Sequence, residues 1–186
     1  MHYPAGYPVS PRDRDRFVLT RRPARPIHDP WQHQGLIVEG EPTGDGRTAR
    51  VGTVLLTGRE CPWRCVMCDL WRGTTTDTTP RGAIPAQVAA ARRQLLERGE
   101  HVTAMKLYNA GSFFDPRAVP EEDYDDIARQ LGGIERVVSS LIRRWSRAAS
   151  IRGLRRSNNR PFRRSDSRGS KSRWASRPSI PMRSTS

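Results

Sequence analysis

Three cysteines crowd into eight residues of this chain, Cys61-Pro-Trp-Arg-Cys65-Val-Met-Cys68, with the spacing C-x3-C-x2-C. Thiolates are soft donors and the usual protein ligands of iron–sulfur clusters. Three of them on one short loop suit three irons of a four-iron cube and leave the fourth iron open to a small molecule. Two other uses of cysteine stand beside this one. A structural zinc site wants four ligands, commonly as two separated pairs; here no second pair exists and His101 lies far along the chain. Plain core cysteines would need no such spacing. An odd, tight cluster does not make a disulfide framework, and it fits a reduced compartment, so the cytoplasm is the expected location.

The segments around the cysteines must position them. Residues 35–39 and 49–56 read as strands, the second apolar at its end as a buried parallel strand is. The cysteine loop follows at once, and 74–80 is a polar loop. Pro85 opens a helix running to about Arg98, with Val88, Ala91, Leu95 and Leu96 on one side and Gly99 as its stop. Residues 102–108 read as the next strand and 109–120 as a loop. Residues 121–130 read as a helix with an acidic first turn, stopped by Gly132 and Gly133, and 134–138 begin another strand. Strand, loop, helix in repetition is the rhythm of an α/β fold with a parallel sheet or barrel. In such folds ligands gather at the C-terminal ends of the strands, where the cysteine loop and the loop from Asn109 both fall.

At these residues the chain resembles the radical SAM superfamily, whose enzymes bind S-adenosylmethionine (SAM). Its signature is C-x3-C-x-Φ-C, with Met67 in the Φ place. The longer run LTGRECPWRCVMCDLWR, residues 56–72, is similar to a narrower branch. That branch includes the radical SAM subunit of archaeosine synthase and its bacterial relatives. The run KLYNAGSFFDP, residues 106–116, supports the same branch. The resemblance covers about residues 26–138. It implies a [4Fe-4S] cluster on Cys61, Cys65 and Cys68, with SAM chelating the open iron. Met67 would pack on the adenine. Asn109, Ala110, Gly111 and Ser112 match the Gly-rich place that meets the SAM amino group, and Phe113 and Phe114 read as packing residues. The implied activity is reductive cleavage of SAM to a 5′-deoxyadenosyl radical, which takes a hydrogen atom from a substrate. Implied partners are an electron donor and, by the archaeosine likeness, tRNA or a partner transferase subunit.

Residues 1–34 carry Pro4, Pro8, Pro11, Pro23, Pro26 and Pro30, which read as breaking any regular element and making an extended surface arm. The alternation Arg12-Asp13-Arg14-Asp15-Arg16 reads as a solvated stretch. Residues 35–138 form the partial core domain. No apolar run is long enough to span a membrane, and residues 1–11 have no apolar signal core.

The net charge of +14 points at first to a nucleic-acid partner. From Ser139 to Ser186, however, stand 14 of the 33 basic residues and one acid, Asp166, so 1–138 is nearly neutral. That last segment has 13 serines in 48 residues and no βα periodicity, a composition that reads as a disordered basic tail. Its alternative is an Arg/Ser-rich RNA-binding tail using pairs such as Arg155 and Arg156, or Arg163 and Arg164. The codons available to this segment favour another origin. Residues 139–146 can be written TCG AGT CTC ATC CGG CGC TGG TCG; preceded by G and read one base earlier, this gives Val-Glu-Ser-His-Pro-Ala-Leu-Val. Residues 170–186, treated in the same way, can give Glu-Val-Ala-Met-Gly-Leu-Glu-Thr-Val-His-Pro-Asp-Ala-Leu-Asp-Leu. Both resemble the branch's later strands, in order and in one frame. The expected architecture is therefore α/β: the N-terminal part of a (β/α) radical SAM barrel, incomplete, with open sheet edges and no turnover as the chain stands.

Overall fold

The computed structural model describes residues 6–141. Four strands form one sheet in the order β1-β2-β3-β4. β1 (Gly35–Pro42) and β2 (Thr48–Leu55) make an antiparallel hairpin. β3 (Ala104–Tyr108) runs parallel to β2, and β4 (Arg136–Ser139) runs parallel to β3. The crossover from β2 to β3 carries α2 (Ala83–Glu97), and that from β3 to β4 carries α3 (Tyr124–Gln130). The architecture is thus mixed α/β with a four-stranded sheet.

One face of the sheet holds the core. Val54, Met105 and Leu107 project from β2 and β3 onto Ile84, Val88, Ala91 and Leu95 of α2 and Ile127 of α3. Gly52 sits where Leu95 and Val102 close over β2; a Cβ there would lie 3.5 Å from Leu95, which is ordinary contact. On the opposite face Glu41 pairs with Lys106 and reaches Arg136 at 3.8 Å. These pairs reach across β2, because the long Glu41, Lys106 and Arg136 side chains meet over the sheet's open face. The Glu41 carboxylate accordingly raises the Lys106 pKa.

Several boundaries differ from the sequence reading. α2 begins at Ala83, two residues before Pro85, because Gly82 takes φ 83° and its N–H donates to both carboxylate oxygens of buried Asp123, at 2.9 and 3.0 Å. Proline is tolerated there because the first-turn N–H groups have no helical partner. Leu96 is 74% exposed and leaves the expected apolar stripe. Successive helical residues are 100° apart, so a stripe set by Val88, Ala91 and Leu95 excludes the next position. The expected helix over 121–130 opens as a short 3-10 turn, Glu121–Asp123, before α3 proper.

The largest correction concerns the arm. α1 (Pro11–Leu19) is a helix inside the segment expected to be extended. Pro11 stands at its start, where its fixed φ suits a helix, and the Ser10 hydroxyl accepts from Asp13 N–H at 3.2 Å as its N-cap. The expected tail from Ser139 also begins later. Ser139 still pairs with Leu107 in β4, and Ser140 O accepts from Phe113 N–H at 2.9 Å. The rest of that expectation, residues 142–186, lies outside the described residues. Among the described residues no helix is long and apolar enough to cross a membrane.

Candidate functional site

The cysteine loop leaves the C-terminal end of β2 and is closed at its base. Arg59 bridges Thr75 in parallel, Thr75 N–H donates to Gly58 O at 3.0 Å, and Glu60 N–H donates to Thr75 O at 3.0 Å. Glycine suits position 58, where a Cβ would crowd the Ala118 carbonyl oxygen at 3.0 Å and Thr79 Oγ1 at 3.3 Å. One step earlier, Gln87 of α2 reads the backbone of Thr57. Its Oε1 accepts from Thr57 N–H at 2.8 Å, and its Nε2 donates to Thr57 O at 2.8 Å and to Pro30 O at 2.6 Å. Gln87 and Thr57 are both fully buried, so these bonds tie helix, strand end and arm at one point.

Cys61, Cys65 and Cys68 line one cavity of about 370 Å³, together with Trp71 and Ala110. The loop after β3 therefore meets the cysteine loop, as expected from their shared place at the strand ends. Gly111 makes the approach close: a Cβ there would lie 3.2 Å from Cys61 Cβ and 3.5 Å from its Sγ. Asn109 and Ser112 are buried behind this contact. The Asn109 amide is held from both sides, Nδ2 donating to Ser112 O at 3.2 Å and Oδ1 accepting from Ser140 Oγ at 2.7 Å. Ser112 Oγ accepts from Phe114 N–H at 3.3 Å. Phe113 and Phe114 pack edge to face, and Phe113 stacks on Tyr124, in line with their reading as packing residues.

Met67 stands apart. It is 83% exposed and lines a neighbouring cavity between the loop and α1, rather than the one that holds the three cysteines and Ala110. Among the described residues no group of three or more His, Cys, Asp or Glu side chains is arranged to hold a metal ion. The donor set still suits an iron–sulfur cluster: three thiols on one cavity wall, with the glycine cradle of Gly111 against one of them. Burial pushes the Cys61 thiol up; the charges of Cys65, Cys68 and Asp115 push it further, against a lowering by the backbone at Trp63. A bound cation reverses that balance, because metal ligation draws thiols into the thiolate form.

Charged residues that sequence reading passed over encircle this cavity. Glu60, next to Cys61, pairs with Arg22 at 2.5 Å and with Arg25. Burial pushes the Glu60 carboxyl up, but the hydrogen bonds and charges of the two arginines outweigh it and hold its pKa down. The two guanidiniums also lie over the Trp71 ring, at 4.7 and 5.4 Å, and Arg25 donates to Trp71 O at 2.8 Å. From the loop side Arg64 reaches back to Asp15 of α1 at 2.8 Å. Arg64 takes φ 44°, a left-handed backbone that costs a non-glycine residue roughly 1–2 kcal/mol. The Arg–Asp alternation of the arm is thus partly a docking surface for the loop. The only sequence signal for these pairs was a surplus of arginine in the arm, which specified no partner.

No protein-family model matches the chain, and neither the curated proteins nor the solved structures contain a significant match.

Proposed function

We propose that residues up to about 138 are the start of a radical SAM protein, the N-terminal part of a (β/α) barrel. In this reading Cys61, Cys65 and Cys68 bind a [4Fe-4S] cluster, while Met67 and residues 109–112 contact SAM. The observation that carries it is the cavity in which all three cysteines face Ala110, at the C-terminal ends of the parallel strands β2 and β3. When bound, the cluster and SAM would together supply a carbon radical that takes a hydrogen atom from a substrate. The chain's own residues perform simpler tasks. Gln87 and the 58–60 bridge to Thr75 fix where the loop leaves the sheet. Gly111 admits the Asn109 loop to Cys61 without a side chain between them. Glu60, held ionised by Arg22 and Arg25, keeps the arm over Trp71 at the cavity wall. A tRNA substrate rests on the archaeosine likeness alone.

Anaerobic reconstitution tests this reading. We expect about four irons per chain, with the visible absorption of a cluster, lost in the triple Cys→Ala variant. A metal content of zinc with no iron would instead make the loop a structural zinc module and defeat the proposal.

We propose further that residues from about Ser139 are an out-of-frame translation of a longer gene, so that this chain is inactive as it stands. Pairing of β4 through Ser139 uses backbone groups and is indifferent to side-chain identity, so it is compatible with either frame. The nucleotide sequence decides: one inserted or deleted base near codon 139 should restore an open frame. If none does, the segment is a real basic tail, and a salt-dependent RNA shift that survives Cys→Ala changes would assign it to nucleic acid. SAM cleavage on reduction of the reconstituted chain would overturn the inactivity.

A further inference from the structure

Arg64 stands between the first two cysteines with φ 44°, the one non-glycine residue of positive φ among the described residues. That backbone disfavours a residue with a Cβ by roughly 5–30-fold in population. It persists only where the surroundings hold it. Spacings of four and three residues would bring Cys61, Cys65 and Cys68 to one face of a helix, but this loop is not helical. It makes two tight turns, at residues 62–63 and 66–67, with Arg64 between them. In the first, the Trp63 backbone N–H bonds the Cys61 sulfur. In the second, Cys68 N–H donates to Cys65 O at 3.1 Å. Each turn is closed within itself, so the relation of Cys61 to Cys65 passes through the dihedrals of Arg64. All three cysteines nonetheless line one cavity.

The Arg64 side chain is gripped from outside the loop. Its Nη1 donates to Asp15 Oδ2 at 2.8 Å. Asp15 belongs to α1, which buries only Val18 and so has little apolar hold of its own on the body. Arg64 Nε lies 3.9 Å from Glu60 Oε1, beyond hydrogen-bond distance, and has no hydrogen-bond partner among the described residues. The bond to Asp15 is therefore the firm contact of this guanidinium. The two side chains are 36% and 39% exposed, so solvent screens the pair and its hold on the turn is worth a few-fold, not more.

We propose that Arg64 is a positioning residue for the three thiols: its left-handed turn sets Cys61 beside Cys65, and Asp15 of α1 holds that turn, so docking of α1 readies the loop for a metal. This rests on the reading that the cysteines ligate a metal, but not on iron or SAM. Arg64 acts through its backbone and needs no contact with the metal.

Cadmium titration of the reduced full chain tests the proposal. Cd2+ is redox-inert and thiophilic, and each thiol gives its proton to the buffer as it ligates. The thiolate-to-metal absorption in the near ultraviolet reads both affinity and the number of thiolates. Arg64→Val, whose branched Cβ resists the left-handed region, should weaken Cd2+ by about tenfold. Arg64→Gly adopts the same turn freely and should stay within about threefold of the native chain, although it lacks the charge. Asp15→Asn should weaken Cd2+ by about threefold in the native background and not at all in Arg64→Gly, which has no guanidinium to hold. Equal affinity of Arg64→Val and the native chain would overturn the proposal. So would Arg64→Gly as weak as Arg64→Val, or an Asp15→Asn effect that persists in Arg64→Gly. Hydrogen exchange of the α2 amides identifies a variant that fails to fold; if Arg64→Val does, Asp15→Asn in its two backgrounds still decides. Three-thiolate cadmium binding without iron uptake would defeat the iron–sulfur reading and leave this inference standing. Iron uptake equal in the native chain and Arg64→Val would do the reverse, and a native chain that binds no cadmium defeats both.

Discussion

Alanine in place of Gln87 is expected to destabilise the fold by about 3–5 kcal/mol. Two buried backbone groups, Thr57 N–H and Thr57 O, and the partly buried Pro30 O depend on this one side chain. Each buried group left unsatisfied costs roughly 1–3 kcal/mol, and water entering the vacated space recovers part of the sum. A loss of that size consumes much of the total stability of an ordinary domain, about 5–15 kcal/mol. Glutamate is the informative second variant. It keeps the acceptor for Thr57 N–H but replaces the two donated bonds with a buried charge, so it should be no better than alanine. Denaturant unfolding followed by tryptophan fluorescence measures both. A loss under about 1 kcal/mol in Gln87→Ala would show that the helix-to-loop clasp is not a structural keystone.

The second large effect centres on Glu60. Its side chain is 12% exposed and that of Arg22 is 10% exposed, so removal of the carboxylate strands two guanidiniums at a nearly dry site. Breaking a buried pair from one side costs about 3–5 kcal/mol; Arg25, at 21% exposure, is partly screened, and about 2–4 kcal/mol is the expectation for Glu60→Ala. The arm is what should move, because Arg22 and Arg25 lie on it and the loop base has its own backbone bonds to Thr75. Arg22 and Arg25 each precede a proline, which blocks trypsin, so the bond to follow is Arg21-Arg22: trypsin should cut there much faster in the variant, while cleavage within α2 stays slow.

Acid should reproduce the same release. The folded pKa of Glu60 lies below its ordinary value of 4.5. A carboxyl with a depressed folded pKa contributes stability that is complete above the ordinary value and is lost as pH falls through the folded one. Arm protection should therefore be constant near neutrality and decline only below about pH 4.5. In Glu60→Ala that acid-dependent component should vanish. Amide hydrogen exchange, normalised to intrinsic rates, spans this range; arm protection factors equal at pH 3 and pH 7 would refute the role given to this carboxylate.

Much of the frame was readable from local pattern. The βα order, the acidic start near Glu121 and the stop at Gly99 are short-range features, and each corresponds to an element within a few residues. The errors have identifiable causes. Proline is a breaker by local rule, yet at the first position of α1, behind the Ser10 cap, it favours the helix. Leu96 was placed on the buried stripe because it adjoins Leu95, while helix geometry turns it to solvent.

The sequence by itself determined that three thiols share one short loop, that this loop follows a strand, and that a second strand-end loop is available to meet it. Those are matters of spacing and period, and they survive any detail of packing. Only the tertiary structure decided what surrounds the thiols. Gln87 reaches Thr57 across 30 residues, Arg22 reaches Glu60 across 38, and Gly111 meets Cys61 so closely that a Cβ would be a tight 3.2 Å from the Cys61 Cβ. Such contacts join residues with no periodic relation. They exist because the sheet brings the ends of β2 and β3 side by side and the arm then folds over them. Arginine in the arm and glutamate before the first cysteine are legible letters, but their pairing is a property of the closed fold.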